Sequence, residues 1–342
     1  MAPVLDRLER PLRNLRLSVT DRCNLRCAYC MPEEEYVWLD KRDVLSFEEL
    51  TSLVDRFGAL GVTKVRLTGG EPLVRKDLPL LVAMLAQRAW LEDLALTTNG
   101  VLLAEQAQQL KQAGLGRITV SLDTLDAGRF RQLTRRDTHG AVLEGISAAA
   151  RAAFPKGLKL DTVVMRGVND DELVRLLDYA ATVGAELRFI EYMDVGGATR
   201  WRREDVVSRA ELLARLTGAF GPIEPIVEHS SAPAERFRLR DGRTFGLIAS
   251  TTQPFCRSCD RARVTADGTF FTCLYATGGL DLKTPLRAGV PAAELEALLR
   301  ERWRRRTDRG AEQRLSLATR GPSATAQELK AQPRREMHTR GG

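Results

Sequence analysis

The stretch NLRLSVTDRCNLRCAYC, residues 14–30, joins a short β-like run to a group of closely spaced cysteines. In NLRLSVT apolar and polar residues alternate, which is typical of a strand with two different faces. Cys23, Cys27 and Cys30 follow at once with the spacing C-x3-C-x2-C. Three thiolates are one ligand short of a closed tetrahedral site, so the pattern indicates a metal group with an open position.

Strands of this kind recur along the first part of the chain, and helical patterns separate them. Ser46 and Glu49 predict a capping box at the start of the first helix, and Asn169 is expected to begin a later helix in the same manner. Six βα units in a row favour a parallel sheet covered by helices, either an open barrel or a doubly wound sheet. The predicted strands are NLRLSVT (14–20), KVRLTGG (64–70), DLALTTNG (93–100), RITVSLD (117–123), LKLDTVVM (158–165) and ELRFIEYM (186–193).

The polar face of these strands distinguishes the two architectures. A parallel strand that is covered on both faces is nearly all apolar, whereas Arg16, Arg66 and Lys159 each alternate with apolar neighbours. A curled sheet whose second face lines a lumen accounts for both kinds of residue. A lumen lined by Arg, Lys, Thr and Ser suits a large anionic ligand. We therefore predict an α/β fold, an incomplete (β/α)6 TIM-type barrel over residues 1–230.

Near residue 230 the pattern changes to hairpins. The runs 237–248 and 261–275 each contain an Asp-Gly turn between β-like segments, and residues 291–306 predict a helix. We expect residues 231–342 to form a β-rich module that ends in a polar tail, and this tail should add little to any core. The basic run RWRRR (302–306) is expected to be a solvated helix face.

Composition limits the class of protein. A chain of 342 residues can bury a substantial core, and a net charge of +7 suggests an anionic partner without naming it. We find no apolar run of membrane-spanning length and no secretory leader, so we expect a cytoplasmic protein whose thiols stay reduced. In such a compartment the 6 cysteines indicate metal or catalytic ligands rather than disulfides.

A second cysteine triplet lies in the C-terminal module. Cys256, Cys259 and Cys273 have the spacing C-x2-C-x13-C and lie close in sequence to Arg261 and Arg263. A CxxC pair with a later cysteine is more often a zinc site than a cluster site, and the residues alone leave both possibilities open. For the first triplet a 4Fe–4S cluster explains the missing ligand, because its fourth iron stays free to bind a substrate or cofactor.

The first triplet, with Tyr29 before its last cysteine, and the loop TGGEP (68–72) after the second strand resemble the radical S-adenosylmethionine (SAM) superfamily. The resemblance implies a 4Fe–4S cluster on Cys23, Cys27 and Cys30, with SAM on its open iron. It also implies one-electron cleavage of SAM to methionine and a 5′-deoxyadenosyl radical. The implied contacts with SAM are Tyr29, Gly70, Ser121 and Met193.

The second triplet, the R-x-R of residues 261–263 and the terminal Gly341-Gly342 are similar to the GTP 3′,8-cyclase family within that superfamily, over essentially the whole chain. The resemblance implies a second 4Fe–4S cluster on this triplet, with the guanine of GTP on its open iron. It implies conversion of GTP to (8S)-3′,8-cyclo-7,8-dihydroguanosine 5′-triphosphate, an early step of molybdenum cofactor synthesis. Alongside the first cysteine triplet, Gly341 and Gly342 are implied to be catalytic. The implied contacts with GTP are Arg16, Lys64, Arg66, Thr97, Lys159, Arg188, Arg261, Ala262 and Arg263.

The resemblance also implies partners. These are an external one-electron reductant and a downstream cyclic pyranopterin monophosphate synthase, and we expect a homodimer that binds neither nucleic acid nor membrane. Two positions depart from the family pattern: Asp161 stands where Asn is common, and Arg340 stands where an aliphatic residue is expected.

Two alternatives compete with this interpretation. One is a radical SAM peptide maturase with an auxiliary cluster, although such enzymes usually carry more cysteines in the C-terminal module than the 3 found after residue 250. The other is a basic iron–sulfur or zinc protein that binds RNA, which would explain the charge but not the polar lumen or TGGEP. Metal analysis separates them, because zinc would contradict the cluster interpretation.

Overall fold

A parallel arrangement of six strands forms the centre of the structure, a computed structural model that describes residues 3–228 and 230–341. These strands follow each other in the sheet in the same order as in the chain, and all six predicted strands are confirmed. They are β1 (Asn14–Ser18), β2 (Lys64–Thr68), β3 (Asp93–Thr98), β4 (Arg117–Ser121), β5 (Leu158–Val164) and β6 (Glu186–Glu191).

Later strands extend both edges of this sheet. At one edge β10 (Arg261–Val264) pairs in parallel with β1 and is followed by β11 (Thr269–Phe271) and β12 (Leu280–Asp281). At the other edge β9 (Thr244–Ile248) pairs in parallel with β6 and is followed by β8 (Glu235–Arg238) and β7 (Glu224–Ile226). The pairs β8–β9 and β10–β11 are antiparallel, so both predicted hairpins are confirmed.

Helices cover the apolar face of the parallel strands. Leu15 and Leu17 of β1 share one hydrophobic core with Leu53 and Phe57, which lie in the first helix. None of the helices in the described ranges has the length and apolar character that crossing a bilayer requires. The helices are α1 (Phe47–Gly58), α2 (Leu78–Ala86), α3 (Leu103–Gln112), α4 (Ala127–Thr134), α5 (His139–Ala152), α6 (Leu173–Thr182), α7 (Arg209–Phe220), α8 (Lys283–Arg287), α9 (Ala292–Arg304), α10 (Gly310–Leu315), α11 (Ala326–Ala331) and α12 (Met337–Arg340).

The two helix starts predicted from capping residues have different outcomes. Helix α1 has the predicted capping box, in which Ser46 and Glu49 exchange hydrogen bonds. The prediction for α6 is wrong, because this helix begins at Leu173 and Asn169 does not cap it. The Asn169 amide instead donates to the carbonyl oxygens of Asp123 and Val163, at 2.8 and 2.9 Å. These bonds tie together the chain segments that follow β4 and end β5.

The C-terminal tail contradicts the expectation that it adds little to any core. His338, Thr339 and Arg340 are all buried, although their side chains are polar. The Arg340 guanidinium donates to the carbonyl oxygens of Leu274 and Ala276 at 2.8 and 2.7 Å. Its Nε and Nη1 have carbonyl partners, whereas its buried Nη2 has none among the described residues, and burial lowers the pKa of Arg340 to about 10.

The basic run 302–306 is only partly the solvated face that its charge suggests. Arg302, Arg304 and Arg305 are exposed, as expected. Trp303 is fully buried, and Arg306 is buried with its guanidinium over the Trp303 ring at 4.5 Å from the centroid. The run therefore contributes one aromatic residue and one cation to the interior.

Candidate active site

A cavity of about 220 Å³ lies at the carboxyl ends of the parallel strands. All three cysteines of the first triplet line it, together with residues from the ends of β2, β3 and β4. This is the end of a β/α sheet at which active sites are usually found. The sequence assigned five of the other lining residues to SAM or GTP: Tyr29, Gly70, Thr97, Ser121 and Met193.

The first triplet lies in an environment that disfavours free thiolates. Burial raises the pKa of Cys23 to about 11, with a further contribution from Glu71, and burial also raises the pKa values of Cys27 and Cys30. Leu25 N–H and the Asn99 amide donate to the Cys23 sulfur at 3.5 and 3.9 Å. The charge of three ligating thiolates would therefore have to be balanced by a bound metal group.

The donor set fits a cluster of several irons. Within residues 3–228 and 230–341, no group of three or more His, Cys, Asp or Glu side chains converges on a point where one metal ion could bind. The cysteine ligands of a 4Fe–4S cluster each bind a different iron, so they need not converge on one point. Three cysteines around one cavity are consistent with that requirement.

Tyr29 connects the cysteine loop to the sheet. Its hydroxyl donates to the Asp123 carboxylate at 2.7 Å, and the same carboxylate accepts from Val163 N–H at 2.9 Å. Burial raises the pKa of Asp123 to about 6, against the lowering effect of these two bonds. The bond to Asp123 thereby holds Tyr29, which lies between Cys27 and Cys30 in the sequence, at the cavity wall.

Two glycines allow other loops to approach the cysteine loop closely. A Cβ on Gly70 would lie 2.3 Å from the carbonyl oxygen of Arg22, and a Cβ on Gly197 would lie 1.8 Å from that of Cys30. Any side chain at either position would push the loops apart. Gly70 belongs to the TGGEP loop, whereas Gly197 was missed by the sequence analysis because Gly196-Gly197 carries no motif.

A row of arginines crosses three strands beside this cavity. Arg16 on β1 is in register with Arg66 on β2 and with Arg263 on β10, so the three side chains lie on one face. Burial and then Arg16 lower the pKa of Arg66 to about 9, and burial and then Arg261 lower that of Arg263 to about 10. We call Arg16, Arg66, Arg261 and Arg263 the arginine row. Its buried, mutually repelling charges favour an anionic ligand.

The guanidinium groups of the row differ in their partners. Arg66 donates to the hydroxyls of Thr97 and Thr119 at 2.8 and 3.1 Å. Since Thr97 also lines the cavity, this bond joins the row to the cysteine-lined site. Arg261 stacks on Phe255 at 4.6 Å, and its buried Nη2 has no hydrogen-bond partner in the part of the chain that the structure describes.

The remaining residues assigned to GTP lie in several environments. Lys159 and Arg188 both bind Glu186, at 2.7 and 3.1 Å, and so are paired within the protein. Lys64 is exposed at the start of β2, and the side chain of Ala262 is fully buried in the hydrophobic core. Glu186 was missed by the sequence analysis. The alternation in ELRFIE, which puts Glu186 and Arg188 on one face, was the signal that could have identified it.

Asp161 offsets part of the positive charge of the arginine row. It faces Arg188 across the β5–β6 register and lines the cavity. Burial lowers the pKa values of Arg16 and Arg66, and the negative charge of Asp161 raises them in part, so Asp161 stabilises the charged forms of both arginines. Its Oδ1 is buried without a hydrogen-bond partner among the described residues. The departure from Asn thus adds an acceptor and a negative charge at the boundary between the row and the cavity.

The second triplet lies among cations. Burial alone would raise the pKa of Cys259, but Arg261 and Arg306 lower it to about 6. Arg306 donates to the Cys259 carbonyl oxygen at 2.7 Å and to its sulfur at 3.3 Å. Cys273 lines a separate cavity of about 280 Å³ next to Arg340. The sequence analysis missed Arg306, because a charged position in a basic helix is usually solvated.

The N-terminal segment also supports the second triplet. Arg10 donates to the carbonyl oxygens of Cys256 and Asp308 at 2.9 and 2.7 Å, and it forms a buried ion pair with Asp6 at 2.6 Å. The two bonds to carbonyl oxygens join residues more than 240 positions apart in the chain. Nothing in the local sequence indicates them.

The C-terminal tail contacts both the arginine row and the cysteine-lined cavity. The carbonyl oxygen of Gly341 accepts hydrogen bonds from Arg16, at 3.0 Å, and from Arg263. Gly341 has a φ of +65°, and a Cβ there would lie 1.9 Å from the Thr68 hydroxyl oxygen. His338 lines the cysteine cavity. Gly342, the other predicted tail residue, lies outside the described residues.

Comparison with known proteins identifies the class. The Radical SAM superfamily model matches residues 17–180, and the Molybdenum Cofactor Synthesis C model matches residues 185–312. A crystal structure of Streptococcus suis SuiB bound to S-adenosylmethionine aligns with a TM-score of 0.61 and 14% identity, covering 85% of this chain and 68% of that one. This last likeness shows the fold alone. The fold, the cysteine-lined cavity and the first family model define a radical SAM protein.

Curated relatives identify the family. GTP 3′,8-cyclase 1 of Mycobacterium tuberculosis (strain CDC 1551 / Oshkosh) is 55% identical, covering 99% of this chain and 95% of the relative. GTP 3′,8-cyclase of Acidothermus cellulolyticus is 49% identical over 98% of this chain and 96% of its own. This chain belongs to the GTP 3′,8-cyclase family. The resemblance found in the sequence is confirmed, and membership in a radical SAM family implies a 4Fe–4S cluster and SAM.

Proposed function

We propose that this chain converts GTP to (8S)-3′,8-cyclo-7,8-dihydroguanosine 5′-triphosphate, an early step of molybdenum cofactor biosynthesis. The observation that carries the proposal is the buried arginine row beside the cysteine-lined cavity. GTP carries about four negative charges near neutral pH, and burying them requires cations nearby. The bond from Arg66 to Thr97 connects the phosphate-binding charges to the site of the radical chemistry.

The first cysteine triplet holds one 4Fe–4S cluster, and SAM contacts Tyr29, Gly70, Ser121 and Met193. When bound, the cluster and SAM supply the one-electron chemistry that starts a radical reaction. The chain holds these groups in position and excludes water. The Tyr29–Asp123 bond and the close approach at Gly70 fix the loops that form the cavity wall.

The second triplet, Cys256, Cys259 and Cys273, holds a second 4Fe–4S cluster, and the arginine row holds the substrate. Arg261 supports this role because its buried Nη2 lacks a partner among the described residues and is thus available to a ligand. Lys159 and Arg188 contact GTP while each remains paired with Glu186. Lys64 contacts it from the exposed start of β2. Thr97 and the backbone of Ala262 complete the set of residues that contact GTP.

The proposed organisation follows from the sheet. Residues 1–230 form an incomplete (β/α)6 barrel, supported by β1 and β6 pairing with later strands instead of with each other. Residues 231–342 form the module with the second cluster, and the Gly341-Gly342 tail completes the site. We propose a cytoplasmic homodimer that receives electrons from an external reductant. Its product passes to the cyclic pyranopterin monophosphate synthase of the pathway.

Anaerobic turnover tests this function. The reconstituted enzyme should contain about eight irons per chain, four for each cluster, and no zinc. With GTP, SAM and dithionite it should form the 3′,8-cyclo product, identified by mass. Cys30→Ala should abolish SAM cleavage, whereas Cys273→Ala should retain the first cluster and lose cyclisation. Zinc in place of iron, or SAM cleavage by Cys30→Ala at the wild-type rate, would contradict the proposal.

A further inference from the structure

Arg306 makes a charge-assisted hydrogen bond to a cysteine of the second triplet. Its Nη2 lies 3.3 Å from the Cys259 sulfur, while its Nη1 donates to the carbonyl oxygen of the same residue at 2.7 Å. Its side chain is only 1% exposed. We propose that Arg306 is a positioning residue that raises the reduction potential of the iron–sulfur cluster held by Cys256, Cys259 and Cys273. This inference rests on the proposed function, which assigns a cluster to that triplet.

The surroundings of Arg306 fix its orientation. The guanidinium stacks over the Trp303 ring at 4.5 Å, and Asp6 and Asp308 lie 3.5 and 3.9 Å from its nitrogens. Asp6 is in turn paired with Arg10, which donates to the Cys256 carbonyl oxygen. Since the donor is held by packing and ion pairs, it points at the sulfur before any cluster binds.

A buried cationic donor favours the reduced cluster. Reduction adds one negative charge, part of which resides on the sulfur ligands, and an N–H donor to sulfur stabilises that charge. The effect is strong in a site from which water is excluded. Arg261 is also close to Cys259, but its guanidinium stacks on Phe255 and leaves one nitrogen for a ligand. Arg306, by contrast, directs its donors to Cys259 itself.

The first triplet has a different environment. The Cys23 sulfur receives neutral donors, the Leu25 amide and the Asn99 side chain, at 3.5 and 3.9 Å. The charge-assisted bond from Arg306 therefore distinguishes Cys259 from Cys23.

A redox titration of the full-length chain tests the inference. Replacing Cys23, Cys27 and Cys30 together with Ala removes the first cluster, so that electron paramagnetic resonance reports the second cluster alone. In this background Arg306→Met should shift the midpoint potential to more negative values. Arg305→Met is the matched control, because it removes the same charge from a neighbouring side chain that is 74% exposed. Its midpoint should equal that of the background.

The outcomes are distinguishable. Equal midpoints in Arg306→Met and Arg305→Met would overturn the role of Arg306. A background protein that takes up no four-iron cluster would instead contradict the proposed function. If Arg306→Met fails to bind iron, Arg306→Lys decides, since it keeps a positive charge beside Asp6. The protein is labelled with ¹⁵N at the arginine guanidinium nitrogens only, because the backbone N–H of Arg261 also donates to Cys259. Nitrogen coupling to the reduced cluster should then be weaker in Arg306→Lys than in Arg305→Lys. Coupling of the same size in both would also overturn the inference.

Discussion

The Arg16 guanidinium donates a hydrogen bond of 3.0 Å to the carbonyl oxygen of Gly341, across a sequence separation of 325 residues. The contact brings the first strand and the end of the chain together at the edge of the cysteine-lined cavity. Because Arg263 donates to the same oxygen, one backbone carbonyl bridges two members of the arginine row. The tail is thus positioned by groups that we propose to bind GTP, and replacing Arg16 or Arg263 should also loosen the tail.

Gly341→Ala should nearly eliminate cyclisation while leaving the fold and both clusters intact. The new Cβ would lie 1.9 Å from the Thr68 hydroxyl oxygen, and the φ of +65° is itself unfavourable for Ala by about 1–2 kcal/mol. The tail must therefore leave its present position. Product formation, iron content and thermal unfolding measured together would show this pattern.

Gly321→Ala is the control for that substitution. It lies earlier in the C-terminal region, where an added Cβ meets nothing within 4 Å. This variant should turn over at the wild-type rate. Normal turnover by Gly341→Ala would mean that the backbone position of Gly341 is irrelevant to catalysis.

Replacing arginines of the row should weaken substrate binding. Each charge-assisted bond to phosphate or purine contributes about 1.5–3 kcal/mol, so Arg66→Met and Arg261→Met should each lose roughly tenfold or more in GTP affinity. Both variants should keep both clusters, because neither side chain is one of the cysteine ligands.

GTP titration measures the affinity, and iron content checks that both clusters remain. Arg305→Met, an exposed position with the same loss of charge, should alter neither. Wild-type affinity in both row variants would contradict the assignment of the row to GTP.

Much of the parallel sheet could be predicted because its determinants are local. Alternation in runs such as KVRLTGG gives both the strand and the face on which Arg66 lies. Parallel order then predicts that Arg16 and Arg66 share a face, whereas the pairing of β10 with β1, which brings Arg263 next to Arg16, was not predicted. The start of α6 was not, because Asn169 uses its side chain for bonds to Asp123 and Val163, which are set by tertiary structure.

The surroundings of the second triplet were harder to predict, because they depend on distant parts of the chain. Arg10, Arg306 and Asp6 meet there only once the N-terminal segment and the end of α9 have packed together. A single arginine in a charged run gives no local sign that it is buried. The same reason explains why the tail was expected to be solvated, although Arg340 finds three carbonyl partners.

Glu71 should make the stability of the ligand-free protein depend on pH. Burial raises the pKa of its carboxyl to about 7, despite hydrogen bonds from Leu73, Thr98 and Asn99. The folded protein therefore holds this proton more tightly than the unfolded chain does. The resulting stability is complete below the ordinary pKa of Glu, near 4.3, and is lost as pH rises through 7. The loss should reach roughly 3 kcal/mol.

Unfolding measured between pH 5 and pH 8 checks this sign. Glu71→Gln should flatten the decline, since the amide does not ionise in this range, whereas Glu105→Gln on the exposed face of α3 should keep it. Parallel curves for wild type and Glu71→Gln would show that Glu71 is already ionised at pH 5 in the folded state.

Arg340→Leu should lower kcat strongly and leave the KM for GTP nearly unchanged. Arg340 holds the tail through bonds to the carbonyl oxygens of Arg334, Leu274 and Ala276, and it stacks over Phe271 at 4.0 Å. Leucine restores the aliphatic type expected in the family but leaves these carbonyls without their donor, at about 1–3 kcal/mol for each one that stays buried.

The cost of Arg340→Leu falls on the docked tail, because the three lost bonds join residue 340 to residues 274, 276 and 334. A penalty of about 1.4 kcal/mol already reduces the ratio of docked to undocked tail tenfold. Hydrogen exchange of residues 337–341 should therefore accelerate in Arg340→Leu, while iron content and GTP affinity stay at wild-type values. Lys330→Leu, at a side chain that is 68% exposed, is the control and should change neither exchange nor kcat. If Arg340→Leu keeps both its slow exchange and its kcat, then Gly341 is held by Arg16 and Arg263 alone, and Arg340 is dispensable for the tail.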